Sequence, residues 1–231
     1  MGVFYDNALF YAGMGFRIAP VKPGTKHPCM DEWKNQATSD MEIIRPWQNS
    51  YTDYNIGAVM GRFNDAFILA LDFDVKHPPL NGILTRQKWE LLHGPLPETL
   101  KQITPSVGET MFYIVDREGL GHHSPTKGDK GSGIDVQADG DFIMLAPSTF
   151  NGREYRFIDP TCPIAHATEA VYDFIRYVVE TDVKAAESGS GGPTDISDAF
   201  DAAIKAHELK PLIEALNMIP CDKVNYFLNH C

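Results

Sequence analysis

The chain has 231 residues, 43% of them hydrophobic, and a formal net charge of -11. That is enough apolar content for one sizeable core. The charge excludes a generally basic protein that coats nucleic acid through many phosphate contacts, but it leaves room for a carboxylate-rich metal site or a small basic groove. No stretch approaches the length of a membrane-spanning helix, and the N-terminus MGVFYDNALF lacks both a basic n-region and a small-residue cleavage site. A cytoplasmic protein with no membrane partner is expected. Cys29, Cys162, Cys221 and Cys231 are widely spaced without a CxxC pair, so they read as reduced thiols. Cys221, His230 and Cys231 offer three ligands at untypical spacing, too few for a zinc assignment.

Residues 4–17 carry a helical pattern, with Leu9, Phe10 and Met14 on an apolar face and Gly15 as its end. The segment APVKPGTKHPCMDEW that follows contains Pro20, Pro23, Gly24 and Pro28, predicts a loop, and exposes Lys22 and Lys26. Ser39, with Glu42 three residues on, reads as the capping box of a short helix over SDMEIIRPW. NIGAVM (55–60) and AFILALDFDV (66–75) read as strands. The second is an almost unbroken apolar run, which suits the centre of a sheet buried on both faces.

Residues 85–93 predict a helix and ETMFYIVD (109–116) a strand. A partly basic loop with His122, His123, Lys127 and Lys130 leads into GIDVQA and DFIMLAPS, read as a hairpin turning at Asp139-Gly140. Another strand is expected near EYRFID. Val171, Phe174, Ile175, Val178 and Val179 then fall at i, i+3, i+4, i+7 and i+8 of an amphipathic helix. These elements predict an α+β fold with one core domain over 1–187 and a flexible linker over 188–194, where SGSGGP lies. A small helical C-terminal segment over 195–231 completes the chain, either a docking appendage or the start of a further domain.

Asp72 and Asp74 project to the same side of their strand, because alternate residues share a face. Two adjacent like charges at the end of an apolar strand call for a cation, and hard oxygen ligands suit Mg²⁺ or Mn²⁺. The same spacing also fits two solvated residues where a strand leaves the core. Asp135 strengthens the metal reading, because Ile134 and Val136 beside it should face the core and turn the aspartate to the opposite side. Three carboxylates on two neighbouring strands permit a two-metal site with ions about 3.5–4 Å apart. Asp139 and Asp141 flank the turn and more simply serve it. Trp33 and Trp47 could stack bases, or pack beneath the N-terminal helices as large aromatics usually do.

Roughly residues 5–180 resemble the N-terminal domain of bifunctional DNA primases/polymerases, within the archaeo-eukaryotic primase superfamily of phages, plasmids and other mobile elements. The resemblance rests on the order of Gly13 and Gly15, PVKPGTKHP, Trp33, ATSD, NIGAVMG, LALDFDV, TPSVGETMFYIV and GIDVQADGDFIMLAPS. It implies an RRM-like core with a central mixed or antiparallel sheet flanked by helices. It further implies nucleotidyl transfer with Asp72, Asp74 and Asp135 as catalytic metal ligands. Nucleoside triphosphates and a DNA template-primer would be substrates, and a helicase or helicase domain a partner.

The family's second motif usually reads Ser-Gly-Gly-x-His. Here Ser106, Val107, Gly108, Glu109 and Thr110 stand in its place, so the phosphate-binding His is replaced by Thr110. A hydroxyl donates one hydrogen bond but carries no charge. Lys26, Lys130, Lys127, His122 and His123 are candidate substitutes, or ordinary surface residues. Ser106 and Gly108 either admit backbone N–H groups to a triphosphate or simply form the turn. Ser148, in LAPS, matches a position near the nucleotide. Two other functions compete with the polymerase: a catalytically weakened module that binds nucleotide or template-primer, and a metal-dependent nuclease or phosphohydrolase on another fold.

Overall fold

A computed structural model describes residues 2–75, 80–116, 121–124 and 131–187. The chain divides into two compact units, Met1–Ala186 and Glu187–Cys231, and the described residues fall almost wholly in the first. The expected linker and C-terminal helices lie outside the described residues.

Helix α1 (Val3–Met14) stops at Gly15, whose φ of 107° is left-handed and suits a residue without Cβ. Its buried stripe is Phe4, Ala8, Tyr11 and Ala12, while Phe10 is exposed, so the face read from Leu9, Phe10 and Met14 is rotated from the one that packs. β1 (Arg17–Val21) takes up the first three residues of the segment expected to be a loop, and Arg17 from the expected helix, and pairs antiparallel with β2 (Asn55–Val59). Pro20 is tolerated there because β1 ends its sheet, where a missing N–H breaks little of the ladder. After α2 (Trp33–Gln36) comes α3 (Met41–Ser50), capped by Asp40 rather than Ser39. Asp40 Oδ1 accepts the Glu42 N–H at 2.9 Å, and the Asp40 N–H is held by Thr38 Oγ1 at 3.0 Å.

The large sheet is built on β4 (Ala66–Phe73) and β6 (Glu109–Val115), paired antiparallel along seven residues. The outer edge of β4 is shared, with β3 (Gly61–Phe63) on its first half and β7 (Ile134–Gln137) on its second. On β6, β5 (Lys101–Ile103) pairs antiparallel and β12 (Ala165–His166) parallel, so the sheet is mixed. β11 (Arg156–Phe157) closes it beside β5. β8 (Phe142–Met144) does not form the expected hairpin with β7. The two strands leave the Asp139-Gly140 turn for different sheets, β8 pairing with β2. That turn sits where β2 passes into β3: Gly140 N–H donates to Met60 O, and a Cβ on Gly61 would lie 2.3 Å from Asp139 Oδ1. β9 (Thr149–Phe150) and β10 (Arg153–Glu154) form a small separate ribbon.

Both faces of β4 are buried, as its apolar run predicts. Ile68 and Ala70 join Phe112, Ile18, Ile56, Ala58 and the α1 stripe in one cluster. Leu69, Leu71 and Phe73 meet Met111, Tyr113, Ile134 and Val136 on the other face. That second face is covered by Trp89 of α4 (Gly82–His93) and by Val171, Phe174 and Val178 of α5 (Glu169–Glu187). Among the described residues the architecture is α+β, five helices with predominantly antiparallel sheets. No described helix is long and apolar enough to cross a membrane.

Candidate active site

Strand register sets four polar residues side by side across the large sheet. Gln102 on β5 stands opposite Thr110 on β6, Thr110 opposite Asp72 on β4, and Asp72 opposite Asp135 on β7. Alternation puts them on the face that carries Ile68, Ala70 and Phe112, at the end of β4. Ile134 and Val136 are buried on the opposite face. Asp74 follows directly after β4, its N–H donating to Gly133 O and its carbonyl accepting from Gly82 N–H, each at 2.9 Å.

The electrostatics of this row centre on Asp72. Loss of solvent, then the Asp74 carboxylate and more weakly Asp135, push its pKa up to about 7. The Thr110 hydroxyl, donating to Asp72 Oδ1 at 2.9 Å, and the charge of Lys26 pull the other way. The donor set is therefore one of hard carboxylate oxygens whose mutual repulsion a cation would relieve, which fits a divalent ion such as Mg²⁺ or Mn²⁺. Among the described residues, no group of three or more His, Cys, Asp or Glu side chains lies close enough together to hold a metal ion as it stands.

Thr110 is buried, and its hydroxyl is committed to a carboxylate. Lys26 is brought toward the row, its Nζ lying 4.9 Å from the Phe150 ring centroid and its charge felt at Asp72. Ser106 is exposed, in hydroxyl contact with Thr104 at 3.1 Å. Gly108 N–H donates to Thr104 Oγ1 and Val107 N–H to Thr104 O, so those amides are engaged within the turn. Gly108 is needed for close approach, because a Cβ there would lie 2.4 Å from Phe73 O, just ahead of Asp74. Ser148 is assigned to the fold: it is buried, donating to Ile56 O at 2.8 Å and accepting Ile56 N–H at 2.9 Å. Lys130 and Lys127 lie outside the described residues.

The two histidines diverge, His122 to Asp141 at 3.0 Å and His123 to Asp182 at 2.7 Å. Asp141 also accepts Ala138 N–H at 2.8 Å, serving its turn as expected. Trp33 packs edge-on to Phe142, and Trp47 packs against the first cluster. Sequence reasoning missed Tyr155, a buried residue whose phenol is pushed up by burial and then by Asp72 and Asp74, which locates it near the carboxylates. It also missed Gln102, whose Nε2 donates to Met144 O at 2.8 Å and whose Oε1 accepts Ala146 N–H at 3.1 Å. A cavity of about 300 Å³ lies on the other side of the sheet, against Arg86, Lys101 and Met111, away from this row.

The family model for bifunctional DNA primase/polymerase, N-terminal, matches residues 8–170, which include every member of this row. The chain belongs to that family. Membership implies a nucleotidyltransferase-type enzyme, a DNA primase/polymerase whose substrates are DNA and nucleotides. Comparison with curated proteins gives no match.

Proposed function

We propose that residues 1–187 form a primase-like catalytic domain. It extends a primer 3'-hydroxyl, or begins a primer, by template-directed nucleotidyl transfer with Asp72, Asp74 and Asp135 as divalent-metal ligands. The observation that carries this reading is the register of Asp72 against Asp135 on adjacent strands, with Asp74 two residues on and both raising the proton affinity of Asp72. Mg²⁺ or Mn²⁺, when bound, supplies charge stabilisation to the attacking and leaving oxygens of an in-line phosphoryl displacement. The chain's own residues bind and orient. Thr110 fixes Asp72 through its donated hydrogen bond. Lys26 brings positive charge to Asp72 that a triphosphate could share, and Tyr155, packed with Val21, Met144 and Ala146, walls the site.

A second reading is a nucleotide or template-primer binding module with weakened catalysis. It is favoured by the one observation that Thr110 gives its hydroxyl to Asp72 and so brings no cation to a phosphate. Extension of a labelled primer-template with Mg²⁺ or Mn²⁺ separates the two. The native chain is expected to extend and Asp72→Ala with Asp74→Ala to fall to background; equal extension by both sinks the metal assignment. Thr110→His sharpens the distinction. It lowers extension if Thr110 is needed to hold Asp72, whereas the weakened-module reading requires a gain in nucleotide binding and activity.

A further inference from the structure

Asp182 continues the buried stripe of α5, four residues after Val178, where an apolar side chain is expected, and it is 2% exposed. A carboxylate withdrawn this far from water persists only where donors compensate it. Its Oδ1 accepts the Ser132 N–H, and its Oδ2 accepts Ser132 Oγ at 2.9 Å and contacts His123 Nε2 at 2.7 Å. Ser132 Oγ in turn accepts the Ile134 N–H at 3.1 Å.

From this anchor the network runs to Asp135, the third of the three aspartates. His123 bridges Val136, its N–H donating to Val136 O at 3.0 Å and its carbonyl accepting Val136 N–H at 2.8 Å. The next residue, Ser124, donates its hydroxyl to Asp135 Oδ1 at 2.7 Å. Asp135 is therefore bracketed on the backbone at Ile134 and Val136 and held at its side chain by Ser124. The arrangement parallels Asp72, whose Oδ1 accepts Thr110 Oγ1 at 2.9 Å. Each of two facing carboxylates thus accepts a hydroxyl from the segment beside it.

We propose that Ser124 is a positioning residue for Asp135, itself held by the pair that half-buried His123 makes with buried Asp182, and that this network sets how tightly the carboxylate row takes up a divalent cation. The inference rests on the three-aspartate reading. A hydrogen bond to one oxygen restricts rotation of the carboxylate and lowers the ordering cost of metal binding, and loss of such outer partners typically weakens metal affinity about 10–100-fold. Asp182 lies beyond the residues matched to the family model, 8–170, so the anchor is supplied by the part of α5 that runs past them.

The test is calorimetric titration of the full chain with Mn²⁺ alone, together with thermal melting in chelator. Ser124 is exposed, so Ser124→Ala should fold normally. It is expected to raise the Mn²⁺ Kd by roughly tenfold with an unchanged melting temperature, and Ser124→Thr to restore affinity. Native-like Mn²⁺ affinity in Ser124→Ala overturns the proposal. Asp182→Asn should reproduce the loss and add little to Ser124→Ala when combined. Should Asp182→Asn unfold, His123→Gln at its half-buried position asks the same question, and native affinity in the folded anchor variant overturns the anchor. Asp135→Ala keeps the two readings apart: if Mn²⁺ binding survives it undiminished, the three-aspartate site itself is wrong, whatever Ser124 does.

Discussion

Val107 occupies a left-handed backbone position, φ 61°, at the tip of the turn beside the carboxylate row, with its side chain 53% exposed. A β-branched residue there brings its Cβ against the following carbonyl and recovers little by burial. The motif that this segment resembles usually has glycine at this position, which suits the left-handed φ of a turn folded back tightly enough for Gly108 to lie against Phe73 O. Val107→Gly is expected to stabilise the chain by roughly 1 kcal/mol, the relief of left-handed strain exceeding the added flexibility of the unfolded chain. A urea midpoint that rises at constant slope bears this out. A fall would mean that the valine side chain makes a contact worth more than its strain. Thr110, three residues on, changes character in the same comparison. In sequence it reads as a lost phosphate ligand, whereas in the structure its hydroxyl is part of what holds Asp72.

At the scale of elements, two of the strands that carry the site were readable because burial on both faces leaves an unmistakable run. β4 and β6 have it, and Asp72 and Asp74 stand out at the end of one of them. α5 was readable from its period. What sequence could not supply was pairing. β7 and β8 are joined by a turn with good hairpin chemistry, yet each finds its partner elsewhere, because β4 and β2 offer open edges in two different sheets. β1 was hidden by Pro20, and β5 by its three-residue length. The Asp182 network joins residues about 50 positions apart, so the readable signal was local: a carboxylate falling on an otherwise apolar helical stripe. Gln102 was equally silent in sequence, although it links the two sheets. Fully buried on β5, it binds Met144 O and Ala146 N–H beside the end of β8. Gln102→Leu keeps the volume but leaves both backbone groups without that partner, at about 1–3 kcal/mol each. A loss of roughly 2–5 kcal/mol in denaturant unfolding is expected, larger than for a typical surface substitution. A loss under about 1 kcal/mol would show that water or a shifted backbone replaces the glutamine.

At the scale of the whole molecule, the carboxylate row ties stability to pH and to metal in a way that a net charge of -11 alone does not. In the folded, metal-free chain Asp72 titrates near 7, above its ordinary value of 3.8, because it is desolvated and faces Asp74 and Asp135. A raised folded-state pKa means that the native state binds the proton more tightly than the unfolded state. The associated stabilisation is complete below about pH 4 and is lost as pH rises through 7. Its size is on the order of a few kcal/mol, since a tenfold gain in proton affinity corresponds to about 1.4 kcal/mol. A divalent cation at the same carboxylates competes with that proton, so metal should stabilise little at low pH and most above 7. Melting curves in chelator and in Mn²⁺, taken between pH 5.5 and 8.5, read the two effects separately. The chelated melting temperature is expected to fall across the upper half of that range, and the gap to the Mn²⁺ sample to widen with pH. Repulsion from the remaining acidic surface acts in both samples and cancels to first order in the gap. A gap independent of pH would mean that Mn²⁺ binds without displacing the Asp72 proton, and the metal would then have to lie away from the row that Asp72 shares with Thr110 and Asp135.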